Sequence, residues 1–227
     1  KEASALNEHK DFVTIRILFS KTGRARYISH LDLNRTMIRA IRRAQLPIWY
    51  TEGFNRHPYV TFAAPLSLGY EGERETMDLR LQEPMEPEEL VRRLDGAMPE
   101  GLHVYAAAPA ERKAGEAVLA RYRVSLGCSP DLVRELLARP SILAEKRTKK
   151  KTMKTLDLKP VLEASGAEVR ESADGGTELE LVLPCGGELS VNPSLLVEIL
   201  RRETGDAALP FSVRRLDVTT GDGQSFR

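Results

Sequence analysis

The residues with the clearest chemical potential lie in the stretch Tyr27–Pro65. Ser29, His30 and Asp32 occur within four positions, and the sequence Gly-Phe-Asn-Arg-His-Pro follows at 53–58. Serine, histidine and aspartate are the residue types of a nucleophile, a general base and its orienting group. Three residues in one helical turn cannot adopt the geometry that acyl transfer needs. We therefore favour a helix start, with Ser29 as the N-cap and Asp32 in the first turn.

Two histidines remain candidates for catalysis. His30 at a helix N-terminus favours the neutral imidazole, which accepts a proton, and His57 could act with it as acid and base on RNA without a metal. The alternative leaves His30 exposed in the first turn and His57 exposed in a tight loop. Both histidines converging with Asp32 or Asp78 would create a metal site. The spacing has no compact ligand signature, so no metal is predicted.

The loop at 53–58 has the chemistry of a contact with unpaired RNA. Gly53 and Asn55 tolerate positive φ, and Phe54 stands beside Arg56 and His57. An aromatic ring next to cationic and hydrogen-bonding side chains can stack on a base and contact its phosphates. In the equally weighted alternative, Phe54 fills the core of a tight loop.

Basic residues form two clusters in a chain whose 34 Lys and Arg nearly balance 33 Asp and Glu. Clustered charge is usually a solvated surface, but concentration of cations in a near-neutral protein is typical of phosphate binding. We predict RNA contacts at both clusters. The first comprises Arg35, Arg39, Arg42 and Arg43 on the first helix, and the second comprises Lys146, Arg147, Lys149, Lys150, Lys151 and Lys154. RNA contacts are also predicted for Lys21, Arg24 and Arg26 in the loop before that helix.

Composition excludes several classes of site. The two cysteines, Cys128 and Cys185, are far apart, so this chain cannot ligate a cysteine-bound iron–sulfur cluster or a cysteine-rich zinc ion. We predict no cofactor and a reducing cytoplasmic location. No apolar run approaches 18 residues, so neither a membrane span nor a secretory signal is expected.

Apolar periodicity predicts the element order strand, helix, strand, strand, helix, strand in the first half of the chain. This is the order of a ferredoxin-like α+β sandwich, in which an antiparallel sheet carries both helices on one face and leaves the other as a binding platform. The strands are expected at 12–19, 59–64, 77–81 and 102–107, the helices at 29–44 and 87–98, a short strand at 48–50, and a connection at 66–74.

The second half predicts another, elaborated ferredoxin-like unit. A hairpin at 142–158 carries the second basic cluster, and further helices are expected near 130–138, 160–165 and 193–201. The predicted domains are 12–108 and 119–220, with disordered tails at 1–11 and 221–227.

One set of residues between Lys21 and Gly69 forms a joint signature. It comprises Ser29-His30-Leu31-Asp32-Leu33, Arg35, Arg39-Ala40, Arg43-Ala44, Leu46-Pro47, Tyr50, Gly53-Phe54-Asn55, His57-Pro58, Phe62-Ala63, Pro65-Leu66 and Gly69. In these residues the chain resembles the radical-SAM-linked protein family, whose members are found alone or joined to the C-terminus of radical SAM proteins. The family usually has proline in place of Arg56, and often serine near Tyr70.

This resemblance implies a radical SAM partner and, from the family's fusions and gene neighbourhood, a role near RNA maturation or modification. Our first hypothesis is a non-enzymatic accessory module that binds tRNA or rRNA or presents it to the partner. The second is a metal-independent RNA-processing or RNA-modifying enzyme that uses His30 and His57. The third is a protein-docking module for the radical SAM enzyme, acting through the open sheet face and the first helix.

Overall fold

The structure, a computed structural model, describes residues 12–147, 152–186 and 189–226, so the tail predicted at 1–11 lies outside the described residues. The described residues form an α+β fold with five α-helices. The chain divides into two units. The first contains the residues up to Leu68 together with Arg74–Ala114, and the second contains Gly69–Glu73 together with Gly115–Phe226. The predicted domains had assigned residues 69–73 to the first half.

The first unit carries its helices and strands in the predicted order. They are β1 (Val13–Lys21), α1 (His30–Arg43), β2 (Val60–Phe62), β3 (Glu71–Leu81, whose first residues belong to the second unit), α2 (Pro87–Asp95) and β4 (Leu102–Pro109). The sheet order is β4-β1-β3-β2, and the β4–β1 and β3–β2 pairs are antiparallel. A short 3-10 helix at Gly23–Tyr27 leads into α1.

The core of the first unit follows from two periodicities. Ile15 and Ile17 alternate along β1 and are buried, and Leu33, Met37 and Ile41 recur on one side of α1 and are buried against the same core. The predicted N-cap of α1 is present, since Ser29 Oγ accepts the Asp32 N–H at 3.1 Å. This cap fixes where α1 starts and hence where His30 lies.

The sheet face opposite this core is covered where Arg16 crosses it, although we had predicted an open platform. Arg16 is 1% exposed and donates to both carboxylate oxygens of Asp78, at 2.7 and 2.8 Å. It also donates to the carbonyl oxygen of Arg112 at 2.7 Å. The segment after β4 therefore packs over an ion pair in the middle of this face.

The second unit contains the remaining elements. They are β5 (Leu119–Leu126), α3 (Pro130–Ala138), β6 (Leu143–Arg147), β7 (Met153–Asp157), α4 (Lys159–Ala164), β8 (Glu168–Glu171), β9 (Thr177–Pro184), α5 (Ser194–Thr204) and β10 (Phe211–Thr219). The strands β10, β5, β9 and β8 are neighbours in that order and are antiparallel. The β6–β7 pair forms the predicted hairpin as a separate two-stranded sheet.

Residues 71–74 are the start of β3, where the sequence predicted a connection. Glu71 and Glu73 made this segment resemble a polar loop, but Arg214 on β10 binds them at 2.6 and 3.4 Å. The parallel pairing of Glu71 with Arg214 belongs to the second unit. Tyr70 fixes the same segment, because its buried hydroxyl donates to Asn192 and accepts the Ser194 N–H. Burial raises the pKa of Tyr70 to about 12.

The C-terminal residues also differ from the prediction of an unstructured tail from 221. Phe226 is 1% exposed, and its N–H donates to the Val218 carbonyl oxygen at 2.9 Å. A turn at Asp222 and Gly223 reverses the chain, with Gly223 at a φ of 78°. The N–H and hydroxyl of Thr220 also donate to the Gln224 carbonyl oxygen, at 2.9 and 3.1 Å. The sequence did not indicate this structure, because Phe226 is the one large apolar residue after position 220.

We expect the loss of one partner of the Arg16–Asp78 pair to destabilise the protein more than the replacement of both partners. Asp78→Ala should lower the free energy of unfolding by about 3–5 kcal/mol, because it leaves a buried guanidinium without its counter-charge. The double variant Arg16→Met/Asp78→Leu should lose less, because it removes both charges from the interior. Chemical denaturation measures both. Glu168→Ala, which removes the exposed partner of Arg170, is the control and should change stability by under about 1 kcal/mol.

A loss from Asp78→Ala no larger than that from Glu168→Ala would contradict the assignment of a buried, stabilised pair.

Candidate nucleic-acid interface

The loop between Trp49 and Tyr59 is closed at its base by backbone hydrogen bonds. The Tyr59 N–H donates to the Trp49 carbonyl oxygen at 3.1 Å, and the Thr51 N–H donates to that of His57 at 2.9 Å. The Trp49 N–H donates in turn to the Arg80 carbonyl oxygen on β3 at 2.8 Å. The two ends of the loop are thus fixed to each other and to the sheet.

A guanidinium packed among three aromatic rings supports this base. The Arg80 guanidinium carbon lies 3.8 Å from the centroid of the Tyr59 ring, 3.9 Å from that of Phe12 and 5.2 Å from that of Trp49. Stacked Arg–aromatic contacts of this kind are attractive and orient the rings. This cluster was not predicted from the sequence. The only signal in the sequence was that aromatic residues, Trp49 and Tyr59, flank the loop on both sides.

His57 forms hydrogen bonds to other residues of the same loop. Its backbone N–H donates to Thr51 Oγ1 at 3.2 Å, and its Nδ1 lies 3.1 Å from the same hydroxyl oxygen and 3.0 Å from the Asn55 carbonyl oxygen. A carbonyl oxygen only accepts, so this contact assigns the ring proton to Nδ1. His57 therefore shapes the loop, and its Nε2 is the nitrogen left to accept a proton.

Phe54 projects fully into solvent at the tip of the loop. Its relative exposure of 104% excludes the alternative in which it fills the core. Gly53 precedes it with a φ of 110°, a conformation that side-chain-bearing residues rarely adopt, so glycine is needed to turn the chain here. Asn55 and Arg56 are exposed beside the ring. The loop presents an unpacked aromatic face next to a cation.

The arginines of α1 divide into two groups. All four, Arg35, Arg39, Arg42 and Arg43, are exposed, and they differ in their contacts. Arg35 contacts Asp32 at 3.1 Å. Arg43 instead donates to the Ala97 carbonyl oxygen at 2.5 Å, at the end of α2. In the opposite direction, Arg93 of α2 donates to the carbonyl oxygens of Ala44 and Gln45 at the end of α1. These reciprocal contacts satisfy helix C-termini and give Arg43 a structural role.

The residues before α1 also separate into buried and exposed cations. Lys21 is 1% exposed and donates to the Arg26 carbonyl oxygen at 3.3 Å, so burial keeps its ammonium from the RNA contact that we predicted. Arg24 is exposed. The Arg26 guanidinium lies 5.6 Å from the ring centroid of Tyr27, which is 70% exposed. Arg24, Arg26 and Tyr27 thus retain the chemistry of an RNA contact.

His30 is half-buried at the start of α1. Its ring packs edge-on against Phe62 with centroids 5.0 Å apart. Its Nδ1 is buried and has no hydrogen-bond partner among the residues that the structure describes. Burial, and secondarily the charge of Lys21, lower the pKa of His30. The described contacts of His30 and His57 involve different neighbours. Within the described ranges, no cluster of three His, Cys, Asp or Glu residues could hold a metal ion.

The second basic cluster is described only in part. Lys146 and Lys154 lie directly opposite each other on β6 and β7, where like charges repel. Lys146 turns away and donates to the Ser190 carbonyl oxygen at 2.5 Å, whereas Lys154 is exposed. Lys149, Lys150, Lys151 and the side chain of Arg147 lie outside the described residues.

The environment of His30 predicts its titration. Its pKa should lie below 6.5, and Lys21→Met should raise the value by removing a nearby positive charge. Because the pKa of His30 is lower in the folded state, the neutral imidazole contributes to folding stability above the unfolded-state pKa of about 6.5. This contribution is lost as the pH falls through the folded-state pKa. Two-dimensional NMR of the imidazole protons measures both proteins. A His30 pKa at or above 6.5 in the unmodified protein would rule out this description.

No helix in the described part of the chain is both long and apolar enough to cross a membrane. Among solved structures, an unknown protein from Galdieria sulphuraria is similar over 90% of this chain and 98% of its own, with 12% identity and a TM-score of 0.27. That TM-score is too low to support an argument. No curated protein matches.

The model of one protein family covers residues 14–193 of the sequence, which include the Ser-His-Leu-Asp helix start, the loop at 53–58 and the β6–β7 hairpin. Its description is that of an uncharacterized protein conserved in bacteria, DUF2344. The match extends over both units and well over half of the chain. The chain therefore belongs to the DUF2344 family of uncharacterized proteins conserved in bacteria.

Proposed function

We propose that this protein is a non-enzymatic module that binds RNA, such as tRNA or rRNA, and presents it to a radical SAM enzyme. The observation that carries the RNA part is the full exposure of Phe54 on a loop that is hydrogen-bonded at both ends. An exposed aromatic ring on a fixed support is a stacking platform for an unpaired base. Stacking of this kind contributes about 1–3 kcal/mol per base.

The charges of the first unit support the same ligand. Arg56 follows Phe54 on the loop, and Arg39 and Arg42 are exposed on α1. Cations beside a stacking ring contact the phosphates that flank the stacked base. Because these contacts do not read base edges, the proposed preference is for single-stranded or looped RNA rather than for one sequence.

The radical SAM partner rests on the family resemblance of the segment between Lys21 and Gly69. It agrees with the cysteine content, because a cluster held by three cysteines cannot be ligated by a chain that has two. The partner would hold the cluster and perform the chemistry. This chain would hold the RNA.

We also propose that both units are ferredoxin-like. In the first, strands numbered in chain order lie as 4-1-3-2, with helices after the first and third strands. In the second, β10-β5-β9-β8 is the same arrangement, elaborated by the β6–β7 hairpin between its first and second strands. Both orders support a split strand–helix–strand architecture.

The enzymatic alternative has one favourable observation, the depressed pKa and unpartnered Nδ1 of His30. A neutral imidazole can serve as a general base. The partner acid proposed from the sequence, His57, instead forms contacts within its own loop, to Thr51 and Asn55. We therefore favour binding over catalysis.

The stacking platform predicts how RNA affinity responds to Phe54. Phe54→Ala should weaken binding of a short single-stranded RNA by about 5- to 150-fold, the equivalent of one lost base stack, while Phe54→Trp should preserve it. Fluorescence anisotropy with labelled oligonucleotides at several salt concentrations measures the effect. Leu68→Ala is the matched control, because it truncates another exposed apolar side chain of the first unit and should leave affinity unchanged.

Equal affinity of Phe54→Ala and the unmodified protein would refute the platform. Undetectable binding at low salt would refute RNA binding altogether, since phosphate contacts are strongest there.

A further inference from the structure

A row of polar side chains crosses three strands of the second unit. Ser212 on β10 lies opposite Ser125 on β5, and Ser125 lies opposite Glu178 on β9. These residues alternate with the buried Val124 and Leu179, so they project from the face opposite the core. Directly opposed side chains of an antiparallel sheet are near neighbours. The row lines a cavity of about 350 Å³.

The arginines of this sheet face already have carboxylate partners. Arg214 binds Glu71 at 2.6 Å, and Arg123 binds Glu180 at 3.3 Å. Arg170 lies opposite Glu178 in the β8–β9 register but binds Glu168 instead, at 2.5 Å. These three arginines are therefore paired with acids other than Glu178. The Arg201 guanidinium, beside Phe211, donates to the Leu209 carbonyl oxygen.

Glu178 differs from the other glutamates just named, because no arginine in the described part of the chain binds it. Within the described residues it forms no ion pair or hydrogen bond, and neither do the hydroxyls of Ser125 and Ser212. Glu178 is a half-buried carboxylate at the end of a row that begins with two unused hydroxyls. The row offers several acceptor sites, and its only donors are the two neutral O–H groups. The ligand that suits this row therefore has N–H donors and a positive charge.

The remaining walls favour the same chemistry. Asp174 adds a second carboxylate, and Phe211 adds a ring that is 38% exposed. The Phe211 ring already accepts a guanidinium, since the Arg201 guanidinium carbon lies 5.0 Å from its centroid. Carboxylates, hydroxyl acceptors and an aromatic face are the groups that bind organic cations.

We propose that this cavity binds a guanidinium or ammonium group. A guanidinium matches best, because its planar fork can donate to Glu178 while its other N–H groups donate to the serine hydroxyls. Two carboxylates repel anions, and an apolar ligand would leave Glu178 desolvated without a partner. The site is independent of RNA binding, because its charge repels phosphate.

Such a cation has two chemical sources, a basic side chain of a protein partner and a free polyamine. The test uses acetyl-Gly-Arg-Gly-amide for the first and spermidine for the second. The citrulline counterpart of the peptide keeps its shape without the charge. Titrations of the full chain are followed by NMR shifts of the Ser125, Glu178 and Ser212 amides.

At least one cationic probe should bind the unmodified protein, and Glu178→Gln should weaken that binding about 10- to 100-fold through loss of a charge-assisted contact. Glu135→Gln removes one charge from an exposed position of α3 and should leave binding unchanged. Binding of the arginine peptide supports a protein source, and binding of spermidine alone supports a polyamine.

Three results would overturn the proposal: no binding of either cation at about 10 mM, equal binding of the citrulline peptide, or equal losses in Glu178→Gln and Glu135→Gln. RNA affinity is measured in parallel and should not fall in Glu178→Gln. A failure here and a failure of RNA binding are therefore separate outcomes.

Discussion

The candidate RNA contact depends on the stacking of the Arg80 guanidinium between the rings of Tyr59 and Phe12. Each cation–π contact contributes about 0.5–2 kcal/mol, more where water is excluded. The arrangement is also partly unfavourable, because Arg80 Nε is buried and has no hydrogen-bond acceptor within the described part of the chain. It fixes the base of the loop to β3. With its base held in place, the loop can carry Phe54 in water without any packing of the ring itself.

Charge is distributed differently in the two units. In the first, Arg16 is neutralised by Asp78 inside the sheet, while Arg39 and Arg56 remain at the surface. In the second, one sheet face carries ion pairs between arginines and glutamates, and Glu178 beside them has no partner among the described residues. The net charge of the chain is near zero although its charges are unevenly placed. The proposed phosphate contacts are on the first unit, and the proposed cation site is on the second.

Local signals in the sequence predicted most of the elements. Ser29 and Asp32 marked the start of α1, and the alternation along β1 marked its buried side, because caps and periodicity depend on residues only a few positions apart. The start of β3 was missed, because the partner of Glu71 is Arg214, distant in the sequence. The burial of Lys21 was missed for a related reason, since a lysine in a polar sequence context normally lies in solvent.

The loop illustrates the same limit at the candidate site. Its composition predicted stacking and phosphate contacts but did not determine whether the Phe54 ring is exposed or buried in the core. Composition alone does not show which aromatic ring packs inward. The structure places Trp49 and Tyr59 against Arg80 and leaves Phe54 exposed. Photo-crosslinking to a single-stranded RNA containing a photoreactive base, followed by peptide mass spectrometry, tests this account most directly. We expect the crosslink within residues 53–57. Crosslinks confined to other peptides would contradict it.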